Sequence, residues 1–312
     1  MGIHRADGNP SGRVRWLGVT LLAGVISACT ASRRQPAVRG LPKDDPLASL
    51  SIVWVGHATA LIRLGHRMVM TDPNLNESAI VIQQRVTPPS LRPDEVPPLQ
   101  LILVSHLHVD HFDTWTLKRL PRSAEIVFPP GSTAYYGLVK QARKTAGEFW
   151  KPIERGGLRV TPVPVRHSGG RFLVDALWNH GYTGYVIEGD GRTVFFAGDT
   201  GWDKSAFAAI RERFPKIDVA LIPIAPAKGL NRNHANPKEA VDIFEAVGAR
   251  YMIPIHYEAY HSMAVPIDEP RKELEEEIQR RGLRGRVFAL RTGERFIEPD
   301  DGSAPRISNE RE

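Results

Sequence analysis

The 312-residue chain has one cysteine, Cys29, so no internal disulfide can form. Any metal site must then be built from histidine and carboxylate. No apolar run is long enough to span a bilayer comfortably. The leading stretch, residues 16–26, falls well short of the roughly 20 residues a spanning helix needs. Charge of one sign is also scarce. Of the formal net charge of +6, Arg5, Arg13 and Arg15 against Asp7 supply +2 within residues 1–28, leaving +4 on the rest. That balance suits anionic substrates or a membrane surface and is too weak to argue nucleic-acid binding. No close sequence repeat is visible. What is present is ordinary: 42% apolar and 24% charged residues exclude a disordered chain, and the length suffices to bury a core.

Arg13 and Arg15 precede the run 16–26, and the small residues Ser27 and Ala28 follow it. This is the order of a secretory signal. Ile26-Ser27-Ala28-Cys29 resembles a bacterial lipoprotein cleavage box. By that resemblance Cys29 carries lipid and becomes the first residue. The expected location is the periplasmic face of a Gram-negative membrane, with Thr30 leaning towards the outer one. Residues 30–49 hold Arg33, Arg34, Pro36, Pro42 and Pro46 without periodicity, and 300–312 are polar. The expected organisation is therefore a signal peptide at 1–28, a tether at 29–49, a catalytic domain at 50–299 and a flexible tail at 300–312.

Between these ends, short apolar runs alternate with Gly and Pro. Strands are expected at 52–55, 60–64, 68–71, 101–104, 158–165, 185–188, 193–196, 219–222, 251–255 and 287–290, with hairpins at Gly65-His66 and at Gly189-Asp190-Gly191. Asn236 followed by Pro237 and Glu239 predicts a capped helix that ends at Gly248. A charged helix is expected over Glu269–Arg281. The order of elements looks doubled, as two sheet-and-helix halves whose loops meet at one rim.

Three imidazoles and a carboxylate crowd into His106-Leu107-His108-Val109-Asp110-His111, directly after the strand at 101–104. Alternate residues of an extended segment face one way, so His106 and His108 can grip one ion together. Asp110 and His111 follow where the chain turns and can face a second ion. Paired ions roughly 3.5–4 Å apart suit hydrolysis of esters and phosphodiesters, and water between them is acidified to act as a hydroxide nucleophile. Further donors stand at later strand ends: His167, Asp199 and His256.

The chain resembles the metallo-β-lactamase superfamily, and within it the N-acylphosphatidylethanolamine phospholipase D branch. The residues that carry the likeness are Trp54-Val55-Gly56-His57-Ala58-Thr59, Thr71-Asp72-Pro73, Ser105 to His111, Thr161-Pro162-Val163-Pro164 with His167, Phe196 to Thr200, Ile222-Pro223-Ile224, His234, Asn236-Pro237-Lys238-Glu239-Ala240-Val241 and Ile255-His256. The resemblance implies an α/β fold, the αβ/βα four-layer sandwich. It implies that His106, His108 and His167 hold one metal, that Asp110, His111 and His256 hold the other, and that Asp199 bridges. It favours two Zn²⁺; the all-nitrogen-and-oxygen set leaves Fe and Mn open. Asp110 is expected also to orient the hydroxide, and His234 to bind or protonate the departing oxygen. His57 and Asp72 are expected behind the metals, fixing ligand imidazoles. The loops Ser168-Gly169-Gly170-Arg171 and Tyr257-Glu258-Ala259-Tyr260 depart from the relatives on the substrate side.

The expected function is a zinc-dependent phospholipase D-type phosphodiesterase on N-acylphosphatidylethanolamine-like lipids. Its partners are a phospholipid, or another small ester or phosphodiester, and the membrane that anchors it; no nucleic acid is expected. The rivals are a lactone, thioester or β-lactam hydrolase on the same metals and a non-enzymatic metal-binding lipoprotein. The sequence sets no oligomeric state.

Overall fold

A computed structural model describes residues 34–80, 83–171, 175, 181–226, 232–260 and 265–311. The signal segment and Cys29 lie outside these residues. Two sheets carry the domain. The first has eight strands in the order β16-β15-β1-β2-β3-β6-β7-β8. These are β1 (Leu50–Gly56), β2 (Thr59–Leu64), β3 (Arg67–Thr71), β6 (Leu101–Leu103), β7 (Glu125–Phe128), β8 (Lys144–Ala146), β15 (Arg295–Glu298) and β16 (Arg306–Ser308). The second runs β14-β13-β12-β11-β10-β9. Its members are β9 (Ile153–Arg155), β10 (Leu158–Val163), β11 (Gly184–Gly189), β12 (Arg192–Phe196), β13 (Val219–Pro223) and β14 (Tyr251–Ile255). A small ribbon, β4 (Ser78–Ile80) with β5 (Gln83–Gln84), stands apart.

Both sheets are mixed, antiparallel in their hairpins and parallel where a helix or long loop crosses over. The two hairpins turn where the sequence places them. Asp190 and Gly191 both take positive φ, at 54° and 74°, as a tight hairpin turn requires.

The side-chain period of two sorts the first sheet into two faces. Ile52, Trp54 and Ile62 join Val160, Ile187, Phe195 and Leu221 of the second sheet in one core. Val53, Val55, Leu61 and Met70 point the other way, into a second core with Phe112 and Leu117. Leu117 belongs to the short helix α1 (Thr114–Leu117). The outer face of the second sheet is covered by α2 (Lys204–Arg213), α3 (Pro237–Val247) and α4 (Glu269–Arg281) through Phe207, Ile243, Phe244, Leu274 and Ile278. The result is the expected αβ/βα sandwich. Its first outer layer is thin, since loops share that layer with α1.

Helix α3 follows its sequence signals. The Asn236 side chain accepts from the Glu239 N–H, the Glu239 carboxylate accepts from the Asn236 N–H, and Gly248 closes the helix at φ 67°. No helix of the described residues is long and apolar enough to cross a membrane.

Three expectations are corrected. Residues 287–290 make no strand; Val287 forms a single bridge to Met252 and the chain then turns away. The segment 34–49 is no free tether. Ala37 N–H donates to Thr292 O and Gly40 N–H to Ser90 O, and Asp44 is locked by Arg63 and Arg295. The tail is not free either: β16 pairs with β15, and Lys43 N–H donates to Glu310 O. The last two turn on long-range backbone pairing, which leaves no periodic trace in a short polar segment.

Candidate metal centre

Every proposed site residue in the described chain falls at one end of the two sheets. From the first sheet, His57 follows β1, Asp72 follows β3 and residues 106–111 follow β6. From the second, His167, Asp199 and His256 follow β10, β12 and β14, while His234 precedes α3. The backbone is strained here. His57, Asp72 and His256 take positive φ of 58°, 35° and 63°, a region costly to residues with a Cβ. Hydrogen bonds hold them: His256 N–H to His57 O at 2.9 Å, Asp72 N–H to Leu103 O at 2.8 Å. Gly198 (φ 60°) lets the Asp199 loop approach, since a Cβ there would lie 2.5 Å from the Ser105 Cβ.

The donor atoms gather in two main sets, each lying within 4.8 Å of one another. His106, His108 and His167 form the first. His106 Nε2 is 2.9 Å and His167 Nε2 3.4 Å from His108 Nδ1. The second contains Asp110, His111 and His256, with His57 beside them. Asp199 stands between the sets: its Oδ2 is 3.3 Å from His111 Nε2 and 3.1 Å from His256 Nε2, and it also groups with His167 and His234.

The outer hydrogen bonds fix which ring nitrogen faces inward. The Ser105 hydroxyl donates to Asp72 Oδ2 at 2.5 Å, so it accepts from His106 Nδ1 at 2.9 Å. His111 Nδ1 donates to Asp72 Oδ2 at 2.7 Å, and His167 Nδ1 donates to Asn233 O at 3.0 Å. In each ring the other nitrogen is aimed into the site, where once free of a proton it offers a lone pair, the arrangement of a metal-binding histidine. Among the described residues, His111 Nε2, His256 Nε2 and Asp199 Oδ1 are buried with no hydrogen-bond partner. Such groups are costly unless something fills the space between them. A pair of divalent cations fits this donor set.

Burial and the crowd of imidazoles push His106 well below its usual range. Burial likewise holds His57 and His167 down at about 3, so these rings are neutral at pH 7. Asp199 and Asp110 behave oppositely. Burial would raise them, but the neighbouring histidines outweigh it, His256 first for Asp199 and His111 first for Asp110, and both stay well below the carboxylate range. Burial would lower His111, yet the Asp199 and Asp110 carboxylates raise it well above 6.5.

The structure thus brings together all ten candidates it describes: His57, Asp72, His106, His108, Asp110, His111, His167, Asp199 and His256, and His234 at 3.4 Å from Asp199. One detail differs from expectation: His57 reaches a carboxylate, Asp110 Oδ2 at 3.0 Å, rather than an imidazole. Sequence reasoning gave no role to Ser105, Asn74 or Asn233. Asn74 Nδ2 donates to Asp110 O at 2.7 Å and to the Tyr260 hydroxyl at 2.9 Å, and no spacing rule marks it.

Comparison with known proteins agrees with this geometry. The model of the β-lactamase superfamily domain matches residues 67–257. The chain is 31% identical over 262 residues to N-acyl-phosphatidylethanolamine-hydrolyzing phospholipase D 1 of Caenorhabditis elegans, covering 77% of this chain and 73% of that one. It is 30% identical to a metal-dependent hydrolase of Methanopyrus kandleri, covering 79% of this chain and 99% of that one. Among solved structures, the isothiocyanate hydrolase from Delia radicum gut bacteria superposes with a TM-score of 0.64 at 15% identity, over 78% of this chain and 97% of that one. The chain belongs to the metallo-β-lactamase superfamily and is related within it to N-acylphosphatidylethanolamine phospholipase D. It is a metal-dependent hydrolase of that fold, with His and Asp clusters able to hold metal.

Proposed function

We propose that this protein is a zinc-dependent phospholipase D-type phosphodiesterase acting on N-acylphosphatidylethanolamine-like lipids, anchored through Cys29 at the periplasmic face of a membrane. In this reading His106, His108 and His167 would hold one ion, Asp110, His111 and His256 the other, with Asp199 available to both. When bound, such a pair supplies a hydroxide nucleophile at neutral pH and neutralises charge on the phosphoryl oxygens. The chain's own residues do the rest. Asp72 and Asn233 fix the rings of His111 and His167. His57 holds the Asp110 carboxylate in place. His234, three-quarters buried beside Asp199, would donate to the departing oxygen.

The observation that carries the reading is the pairing of this donor set with an adjoining cavity of about 240 Å³. Its lining combines His57, Asp110 and His256 with the apolar Ala225, Val265 and Ile267, and also includes Glu258 and Tyr260. A diester of phosphate with an apolar tail suits that mixed lining. The similarity to a phospholipase D supports the same substrate class. The test is turnover by the zinc-loaded full chain of an N-acylated phosphatidylethanolamine beside a lactone, a thioester and a β-lactam. Preference for the phosphodiester is expected, abolished together with bound metal in His106→Ala. Preference for any of the other three, or full activity without metal, sinks the reading.

A further inference from the structure

The N-terminal end of the described domain emerges at the cavity. Arg34 N–H donates to Val86 O at 2.9 Å, and Val86 N–H donates to Ala259 O at 2.7 Å. The Arg34 guanidinium stands 3.3 Å from Glu258 Oε1. Glu258 and Ala259 both line the cavity, two and three residues beyond His256. The point is pinned from a second side, because Arg271 of α4 donates through Nε to Glu258 Oε1 at 3.0 Å.

Five residues lead from Cys29 to Arg34. Fully extended, that link reaches about 18 Å. The domain is deeper than this: the seven residues of β1 alone span about 23 Å, before the loops at either end are added. A lipid on Cys29 therefore leaves no room for the domain to rest on its far end. It draws the edge carrying Arg34 and Glu258 to the bilayer. Lys272, exposed on the first turn of α4, stands near the same edge, paired with Asp268 at 2.8 Å.

We propose that the cavity mouth beside Glu258 is held against the lipid surface that carries the Cys29 anchor, so that the substrate is a lipid taken from that same surface. The proposal rests on the lipid anchor of the function given above and not on its phosphodiester chemistry.

Cys29 is the sole cysteine, so once it is lipidated an introduced cysteine takes a fluorophore uniquely. Two full-chain variants carry the label: Lys272→Cys near the cavity and Lys216→Cys before β13, at the opposite end of the strands. Each is inserted in vesicles of phosphatidylethanolamine and phosphatidylglycerol containing a nitroxide-headgroup lipid. Several-fold stronger quenching at 272 than at 216 is expected. A flexible Gly/Ser insertion between residues 33 and 34 should narrow that difference. Equal or reversed quenching in protein whose Cys29 incorporates labelled palmitate overturns the orientation, as does an insertion that changes nothing. Absence of palmitate incorporation overturns the anchor and the proposal with it. Unequal quenching in a protein that turns over no phosphodiester supports the orientation while sinking the phosphodiesterase reading.

Discussion

The first donor set, His106, His108 and His167, is made of imidazoles alone, all three pushed towards the neutral form by burial. The second adds a carboxylate, Asp110, to His111 and His256, and it opens on the cavity: the Asp110 side chain is 29% and the His256 side chain 13% exposed. The two sets thus share Asp199 but differ in charge and in cover. A set that includes a carboxylate and opens on the cavity draws a cation strongly and lets it exchange; an all-imidazole set, with only His108 partly exposed, relies on ring orientation. The pair is asymmetric although the two sheets that present it are arranged alike.

The largest effect should come from the residue common to both. Asp199→Ala is expected to lower kcat/KM by about 10³-fold or more, as loss of a group central to charge stabilisation does, and to lower both metal equivalents in elemental analysis. Retention of two equivalents would remove Asp199 from between the sets. Next, His108→Ala and His256→Ala should each leave a single equivalent, and chelator-driven metal loss in the parent should be biphasic. His256→Ala should abolish the fast phase; loss of the slow phase instead would reverse the comparison.

Smaller is Asp72→Asn, which keeps its shape but weakens the hold on His111 Nδ1. A loss of about 10–100-fold in metal affinity or activity is expected, typical of an outer partner of a metal-binding histidine. Stability against pH sharpens the same contrast in the metal-free protein. His57 and His167 sit at about 3 when folded, against about 6.5 in the unfolded chain. Between those values the unfolded state takes protons that the folded state refuses, so stability falls as pH falls from about 6.5 to about 3. His111, raised, works the other way: its contribution is complete below 6.5 and lost as pH rises through its folded value. Thermal melts of metal-free protein should therefore drop in acid through the two low histidines, while His111 adds a separate loss of stability above pH 6.5. Asp72→Asn, by weakening support for protonated His111, should shrink the loss above pH 6.5; an unchanged slope there would detach His111 from the balance. The smallest effect lies outside both sets. Asn236→Ala should cost about 1 kcal/mol of stability, read as a lower Tm, with bound metal unchanged.

Much of the site could be read before folding was considered. His106 to His111 announces itself because its donors are close in sequence. His167, Asp199 and His256 were found because each ends an apolar strand. Asn233 escaped notice because it acts through a backbone carbonyl, and Asn74 because its contacts to Asp110 and Tyr260 lie 36 and 186 residues away. In the fold, β1 to β3 and β10 to β14 announce themselves by apolar alternation. The strand β15 did not, because Arg295 and Glu298 occupy buried positions where period-two reasoning expects apolar side chains.

By itself the sequence determined what depends on neighbours along the chain: the metal-binding run, the capped start and glycine end of α3, and the hairpin turns. The tertiary structure decided what depends on meeting at a distance. It set which nitrogen of each ring faces inward, since that is fixed by Ser105, Asp72 and Asn233 from other elements. It gave His57 a carboxylate to hold, and it packed 34–49 and 300–311 against the domain. Short-range signals survive in the sequence because a cap or a turn needs only a few adjacent dihedrals. Long-range pairings leave none, because any short polar segment can present the same backbone groups.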